Sequence, residues 1–184
     1  NDHFVNLIAK IGAANGVAKI IVGENGILST PAASNVIRTR KATGGIILTA
    51  SHNPGGPDND CGIKYNLSNG GPAPESVTDK MYENSTNIKE YKIIADLPEI
   101  DLTKLGTSTY GPLEVEIIDS TKDYVEMLKS IFDFPLIKSF IQTNQHFSFL
   151  FDALNGVTGP YGEAIFVKEL GLDGSCVQNC HPLP

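Results

Sequence analysis

Residues 43–56 read T-G-G-I-I-L-T-A-S-H-N-P-G-G, an apolar run that delivers Ser51, His52 and Asn53 to a stop made of Pro54, Gly55 and Gly56. A free serine hydroxyl is a poor nucleophile and needs a base or prior activation. Adjacency does not make His52 that base, because neighbouring side chains on an extended chain point apart. The loop from Asn53 to Gly56 offers backbone N–H groups that could face an anion. Turn chemistry alone also accounts for Ser, Asn, Pro and Gly at such a bend. Two readings therefore stand on these residues: a well-made turn, or a serine held out for chemistry on an anionic group.

Other residues invite weaker readings. Arg38, Arg40 and Lys41 could form a phosphate patch, but they share a helical stretch whose charges are by default solvated. Asp152, Asn155 and Gly156 follow an apolar run, a position that permits a site. The glycines of G-V-T-G-P-Y-G (156–162) lack the strand–G-x-G-x-x-G arrangement of a dinucleotide site. Cys176, Cys180 and His181 form C-x-x-x-C-H, part of a metal-ligand set with no second pair to complete it. Pro182 and Pro184 end any helix there, so these cysteines and Cys61 read as reduced thiols.

The elements that must position Ser51 follow from periodicity. Phe4, Leu7, Ile8 and Ile11 recur at helical spacing and suggest one buried face. Ala18–Val22 has the short apolar run of a covered strand, and Gly23–Gly26 is a turn. Ser29 or Thr30 caps the next helix, with Pro31 at its start and Val36 and Ile37 turned inward. Ile46–Leu48 is the following strand. Strand, helix, strand is the α/β rhythm, and in a parallel sheet the loop after such a strand is where ligands bind. Further on, Ser76–Tyr82 fits a helix, and Leu113–Ile118 alternates as a strand near the edge of the first unit. Asp119–Phe132 is helical, with Tyr124, Met127, Leu128 and Ile131 on one face, and Phe134–Phe140 is a short helix. A new βα unit begins with Phe147–Phe151 as strand, Asp152–Gly162 as loop and Glu163–Leu170 as helix.

Composition bounds the partners. The chain has 184 residues, 41% of them hydrophobic, and a formal net charge of −7. That suits one ordinary domain and part of a second, and it argues against nonspecific nucleic-acid binding, which wants a basic surface. No apolar run approaches membrane-spanning length. Asn1 opens the sequence with a helix already in progress, and N-C-H-P-L-P closes it without a further element. The expectation is a piece of something longer.

T-A-S-H-N-P-G-G resembles the phosphoserine loop of the α-D-phosphohexomutase superfamily. The likeness continues through D-C-G-I-K-Y-N (60–66) and S-N-G-G-P-A-P-E (68–75), and the latter is similar to the eukaryotic, glucose-specific phosphoglucomutase branch. G-E-N-G-I-L-S-T-P-A (23–32), I-F-D-F (131–134) and F-D-A-L-N-G-V-T-G-P-Y-G (151–162) extend it over nearly the whole chain. The resemblance implies an α/β fold: a domain with a mixed sheet between helices over residues 1–132, and the opening βα unit of a similar second domain over 133–184, cut before its metal-binding loop. It implies that Ser51 carries a phosphate and exchanges it with a sugar phosphate. Lys64 is then a general acid/base or charge stabiliser beside the transferring group, and His52 a contact to phosphate oxygens. Mg2+ would bind the phosphate on Ser51, with its aspartate ligands beyond Pro184, since no D-x-D-x-D string occurs here. Asp152 is scaffold in this reading.

The implied reaction interconverts α-D-glucose 1-phosphate and glucose 6-phosphate through glucose 1,6-bisphosphate, in a cytoplasmic protein that is a monomer when full length. These residues alone would be inactive, because the sugar-recognition and distal phosphate-binding loops belong to later domains. Two other readings remain: a non-catalytic structural or adhesion-associated relative, or a broader phosphohexomutase acting on mannose or glucosamine phosphates. The intact serine loop opposes the first, and S-N-G-G-P-A-P-E opposes the second.

Overall fold

Strands and helices are interspersed along residues 2–56, 58–144 and 146–183, which the computed structural model describes. In chain order they are α1 (Asp2–Ala14), β1 (Lys19–Gly23), α2 (Thr30–Thr39), β2 (Gly44–Thr49), β3 (Gly62–Leu67), α3 (Glu75–Asn87), β4 (Gly106–Tyr110) and β5 (Leu113–Ile118). There follow α4 (Lys122–Ile131), α5 (Phe134–Thr143), β6 (Phe151–Asp152), α6 (Gly159–Gly162) and β7 (Val177–Gln178). Packing divides them into two units. One combines the stretch up to Leu28 with Ala73–Ser120; the other combines Ser29–Pro72 with the chain from Thr121 onward.

The first unit is built on a mixed three-stranded sheet of order β1-β5-β4. β1 runs parallel to β5, and β4 antiparallel to it. The strand expected near an edge is therefore the central one. Alternation fixes which face of Leu113–Ile118 is buried but not where the strand stands in the sheet. Leu113, Val115 and Ile117 point into the core, while Glu114 and Glu116 turn the other way onto Lys19, at 2.8 and 2.7 Å. The core adds Ala9, Ala13, Leu97, Ile100 and Leu102.

Helix α1 buries a different face from the one its large residues suggested. Phe4 is 46% exposed and Leu7 36%, whereas Asn6, Ala9 and Ala13 are buried. Asn6 explains the rotation. Its Oδ1 accepts the N–H of Ile100 at 2.8 Å and its Nδ2 donates to the Asp2 carbonyl, so a buried amide is satisfied rather than orphaned.

The second unit holds the serine turn. Ser29 caps α2 by accepting the N–H of Ala32, Pro31 sits in the first turn, and Ala32, Val36 and Ile37 are buried, as their spacing predicts. Strands β2 and β3 form an antiparallel ribbon in full register from Gly44↔Leu67 to Thr49↔Gly62. The parallel-sheet expectation for the strand leading to Ser51 is thus corrected: its partner is the very next strand. A Cβ on Gly45 would meet Ile37 Cδ1 at 2.7 Å, a measure of how closely α2 lies on the ribbon.

The S-N-G-G turn locks the other end of the ribbon. Buried Asn66 donates through Nδ2 to the Gly70 carbonyl at 2.9 Å and to Ser34 Oγ at 3.3 Å. Gly70 has φ +80°, and a Cβ there would stand 2.5 Å from the Ser34 carbonyl and 2.8 Å from Arg38 Nη1. Only glycine satisfies both the left-handed backbone and the approach to α2.

Later elements depart from their expected forms. In α4 the fully buried residue is Val125, while Ile131 is 63% exposed, so the predicted Tyr124–Met127–Leu128–Ile131 face is only partly covered. Regular pairing in the predicted Phe147–Phe151 strand is confined to Phe151–Asp152, parallel to β7. Its other aromatics join a chain of ring contacts instead: Phe140–Phe147 at 5.2 Å, Phe147–Phe149 at 6.0 Å and Phe149–Phe166 at 5.0 Å. The predicted Glu163–Leu170 helix starts earlier, as α6, and widens into π-helical turns over Glu163–Glu169. There Leu170 N–H bonds to the Ile165 carbonyl at 3.0 Å, the five-residue step of a π-helix.

Candidate functional site

Ser51 occupies the first corner of a tight turn. Asn53 N–H bonds to the Ala50 carbonyl at 3.1 Å, so Ala50–Asn53 closes as a β-turn. Within this turn positive φ belongs to Ser51, at +59°. That is the pattern of a type II′ turn, whose first corner normally belongs to glycine. A serine in the left-handed region costs roughly 1–2 kcal/mol and persists where its surroundings hold it.

Two contacts hold it. The N–H of Ser51 donates to Thr49 Oγ1 at 2.9 Å, and Lys64 Nζ donates to Ser51 Oγ at 2.7 Å. Lys64 stands opposite Ile47 in the ribbon, and Gly62 opposite Thr49. Gly62 and Lys64 share one face of β3, so the lysine reaches the turn past a position without a side chain. A Cβ on Gly62 would also stand 2.7 Å from the Thr49 carbonyl, and glycine allows the strands to close this near the serine.

Beyond the turn, Asn53 Nδ2 donates to Asp60 Oδ2 at 2.6 Å, and Asp60 N–H bonds to the Pro54 carbonyl at 3.2 Å. Ser51, His52, Asn53, Asp60 and Lys64 are all exposed. His52 makes no hydrogen bond among the described residues, so Ser51 and Lys64 are brought together and His52 is not yet committed to either. What the arrangement can do is hold a serine oxygen at the surface against one cation. A phosphate on Ser51 would add about −1.5 to −2 charge directly beside the lysine ammonium.

Thr49 and Asp60 were not singled out by sequence reasoning. Their contacts depend on strand register and loop closure, and the one available signal was their place in the matching strings.

The other candidates fall elsewhere. Arg40 is not simply solvated: its Nε and Nη2 lie 3.1 and 3.0 Å from Asp123 Oδ2, on the wall of a groove of about 360 Å3 lined also by Asn35, Thr39 and Glu126. Arg38 lies against the Gly70 turn, and Lys41 is exposed. Asp152 accepts from Leu154 N–H and Asn179 Nδ2 through Oδ1, and from Gln178 Nε2 through Oδ2. Those bonds, the Asn179 amide first, hold its carboxyl below the usual range. It ties β6 to the end of β7. Cys61, Cys176 and Cys180 are free thiols, and burial pushes the Cys180 thiol up, away from the thiolate form.

No group of three or more His, Cys, Asp or Glu among the described residues could hold a metal ion. In the loop after Ser51, Asp60 is engaged by Asn53, and a lysine occupies the serine oxygen. These residues by themselves do not fit a Mg2+ cage.

A family model described as phosphoglucomutase/phosphomannomutase, alpha/beta/alpha domain I, matches residues 1–92. The chain is 66% identical to a phosphoglucomutase of Emericella nidulans and 64% identical to one of Schizosaccharomyces pombe, over 100% of its own length and 33% of theirs. The open form of the exocytosis-sensitive phosphoprotein pp63/parafusin, a phosphoglucomutase from Paramecium, is similar with a TM-score of 0.88 at 38% identity, over 96% of this chain and 34% of that one. The chain spans about a third of the length of the relatives it matches.

Proposed function

The chain belongs to the phosphoglucomutase/phosphomannomutase family, and from that premise we propose that Ser51 is the phosphoryl carrier of a mutase. In the full-length protein it would interconvert α-D-glucose 1-phosphate and glucose 6-phosphate through glucose 1,6-bisphosphate. The observation that carries this reading is the 2.7 Å contact between Lys64 Nζ and Ser51 Oγ, on a serine held in a conformation that a plain turn would give to glycine.

The residues present account for the protein's side of the transfer. A sugar hydroxyl oxygen attacks the phosphorus carried by Ser51. The new P–O bond forms as the bond to Oγ breaks, and the proton of the sugar hydroxyl passes to solvent. Lys64 donates to Oγ, neutralises the charge that develops there, and can supply the proton that restores the serine hydroxyl. In the return transfer, from the second phosphate of the bisphosphate, Lys64 takes that proton back as Oγ attacks. His52, at the second corner of the turn with its ring unengaged, is placed in this proposal on the phosphate oxygens. Mg2+ would supply further charge neutralisation at the phosphate; its protein ligands must come from outside these residues, and no step above depends on it.

The division into a first domain over residues 1–132 and the opening of a second over 133–184 is part of the proposal; the domain I model at residues 1–92 supports its first part, while packing groups Ser29–Pro72 with the chain from Thr121 onward. Relatives from Pisum sativum and Zea mays named as cytoplasmic phosphoglucomutases, 52% and 53% identical, support a cytoplasmic location. No described helix is long and apolar enough to cross a membrane. A monomeric full-length protein completes the reading.

Intact-mass measurement of the full-length protein before and after glucose 1,6-bisphosphate tests it. A gain of one phosphate that disappears in Ser51→Ala is expected. No gain in the parent protein, or an equal gain in the variant, overturns it.

A further inference from the structure

The loop that leaves the serine turn folds back on itself at Asp60. Asn53, the last residue of the turn, donates its side-chain amide to Asp60 Oδ2 at 2.6 Å. Asp60 N–H returns to the Pro54 carbonyl at 3.2 Å, and Gly55 and Asp60 pair as an isolated bridge. Immediately afterwards the chain enters β3 at Gly62, the strand that carries Lys64. One residue thus ties the corner of the Ser51 turn to the strand bearing the Ser51 cation.

We propose that Asp60 is a positioning residue for phosphoryl transfer at Ser51, acting through Asn53; the inference rests on the carrier role proposed above for Ser51. The left-handed backbone of Ser51 is disfavoured and must be over-determined by its neighbours. Thr49 fixes the entry of the turn through the Ser51 N–H. Asp60 fixes the exit, with a short bond in which an ionised acceptor strengthens a neutral amide donor. Without it, Asn53 loses its side-chain tether, and Ser51 can relax away from Lys64.

The same geometry separates this role from general-base chemistry. Among the described residues Asp60 makes no hydrogen bond to Ser51, and the oxygen nearest the turn is occupied by the Asn53 amide. A carboxylate pointed at a phosphoserine would also repel it, whereas Asp60 Oδ2 is turned onto the Asn53 amide.

The test uses the full-length protein and glucose 1,6-bisphosphate, following transfer of phosphate to Ser51 in a single turnover together with steady-state kcat and KM for glucose 1-phosphate. Asp60→Ala and Asn53→Ala should each slow transfer and kcat by about 10²-fold, the scale of a misplaced reacting group, with KM within about twofold. Asp60→Asn keeps an oxygen for Asn53 to bond and should stay within about fivefold of the parent protein, where a general base would be lost. The Asp60→Ala, Asn53→Ala double variant should be no slower than either single, because both cut one link. Parent-like transfer by Asp60→Ala, an Asp60→Asn variant as slow as Asp60→Ala, or multiplied losses in the double variant would each overturn the proposal. If Asp60→Ala does not fold, Asn53→Ala and Asp60→Asn decide the matter alone. A parent protein that accepts no phosphate overturns the Ser51 reading first and this one with it.

Discussion

Lys64 Nζ donates to Ser51 Oγ at 2.7 Å, and the register of a single ribbon, Ile47 opposite Lys64 and Thr49 opposite Gly62, brings the two together. The amine is carried by a strand rather than by the loop it serves. Lys64→Met keeps much of the side-chain bulk and removes the donor. Transfer of phosphate to Ser51 is expected to fall by roughly 10²-fold or more, the cost of losing one donor aimed at developing charge. Lys64→Arg restores charge without the single-point geometry and should recover only part of the rate. Single-turnover labelling from glucose 1,6-bisphosphate measures both, and parent-like labelling of Lys64→Met would remove Lys64 from the mechanism.

The left-handed backbone of Ser51 predicts a stability order opposite to ordinary glycine behaviour. At φ +59° a Cβ is a liability. Ser51→Gly should be more stable than Ser51→Ala by about 1 kcal/mol, although both have lost the hydroxyl. Chemical denaturation of the two variants compares them directly. An alanine variant as stable as the glycine one would show that the turn is unstrained.

Gly70 predicts the same preference for glycine at the far end of the ribbon. A methyl group there meets the Ser34 carbonyl at 2.5 Å and Arg38 Nη1 at 2.8 Å on a backbone already left-handed. Gly70→Ala should destabilise the protein by about 2–3 kcal/mol, the sum of backbone strain and a displaced helix contact. Gly71→Ala, whose nearest neighbours are the Asn69 side-chain atoms at 3.3 Å and beyond, should cost distinctly less. Equal losses in the two variants would contradict the packing described here.

Asp152 sets an acid limit on its unit. Bonds from Asn179, Leu154 N–H and Gln178 lower its folded-state value. Its contribution is therefore present above the ordinary carboxyl range, near about 3.9, and is lost as pH falls through the depressed folded value. Asp152→Asn should flatten the pH dependence of stability below the ordinary carboxyl range, a comparison made by thermal melts in acid. An unchanged slope would mean that the carboxylate gains nothing from its three donors.

Local signals were the legible part of this fold. Ser29 and Pro31 announce the start of α2, and Val36 and Ile37 its buried face, because capping and periodicity are written within a few residues. Strand order is not written that way: Leu113–Ile118 reads identically at an edge or in the centre, and its neighbours decide. In α1 the large apolar side chains misled, because a satisfied amide at Asn6 and two alanines allow the closest approach to the core. At the candidate site, matching strings single out Ser51 and Lys64, which the structure brings into contact. Thr49 and Asp60 are not singled out, since an antiparallel register and a closed loop give them their contacts.

The ring of Tyr161 stands edge-on to Tyr124 at 5.5 Å, and its hydroxyl accepts the N–H of Ser29 at 3.0 Å. The chain has six tyrosines and no tryptophan, so its ultraviolet emission comes from tyrosine alone. Tyr161 is buried, whereas Tyr82 and Tyr91 are 72% and 69% exposed and already see bulk water. Loss of the Tyr161–Ser29 bond on unfolding therefore gives the start of α2 a fluorescent reporter, alongside the half-buried Tyr65, Tyr110 and Tyr124.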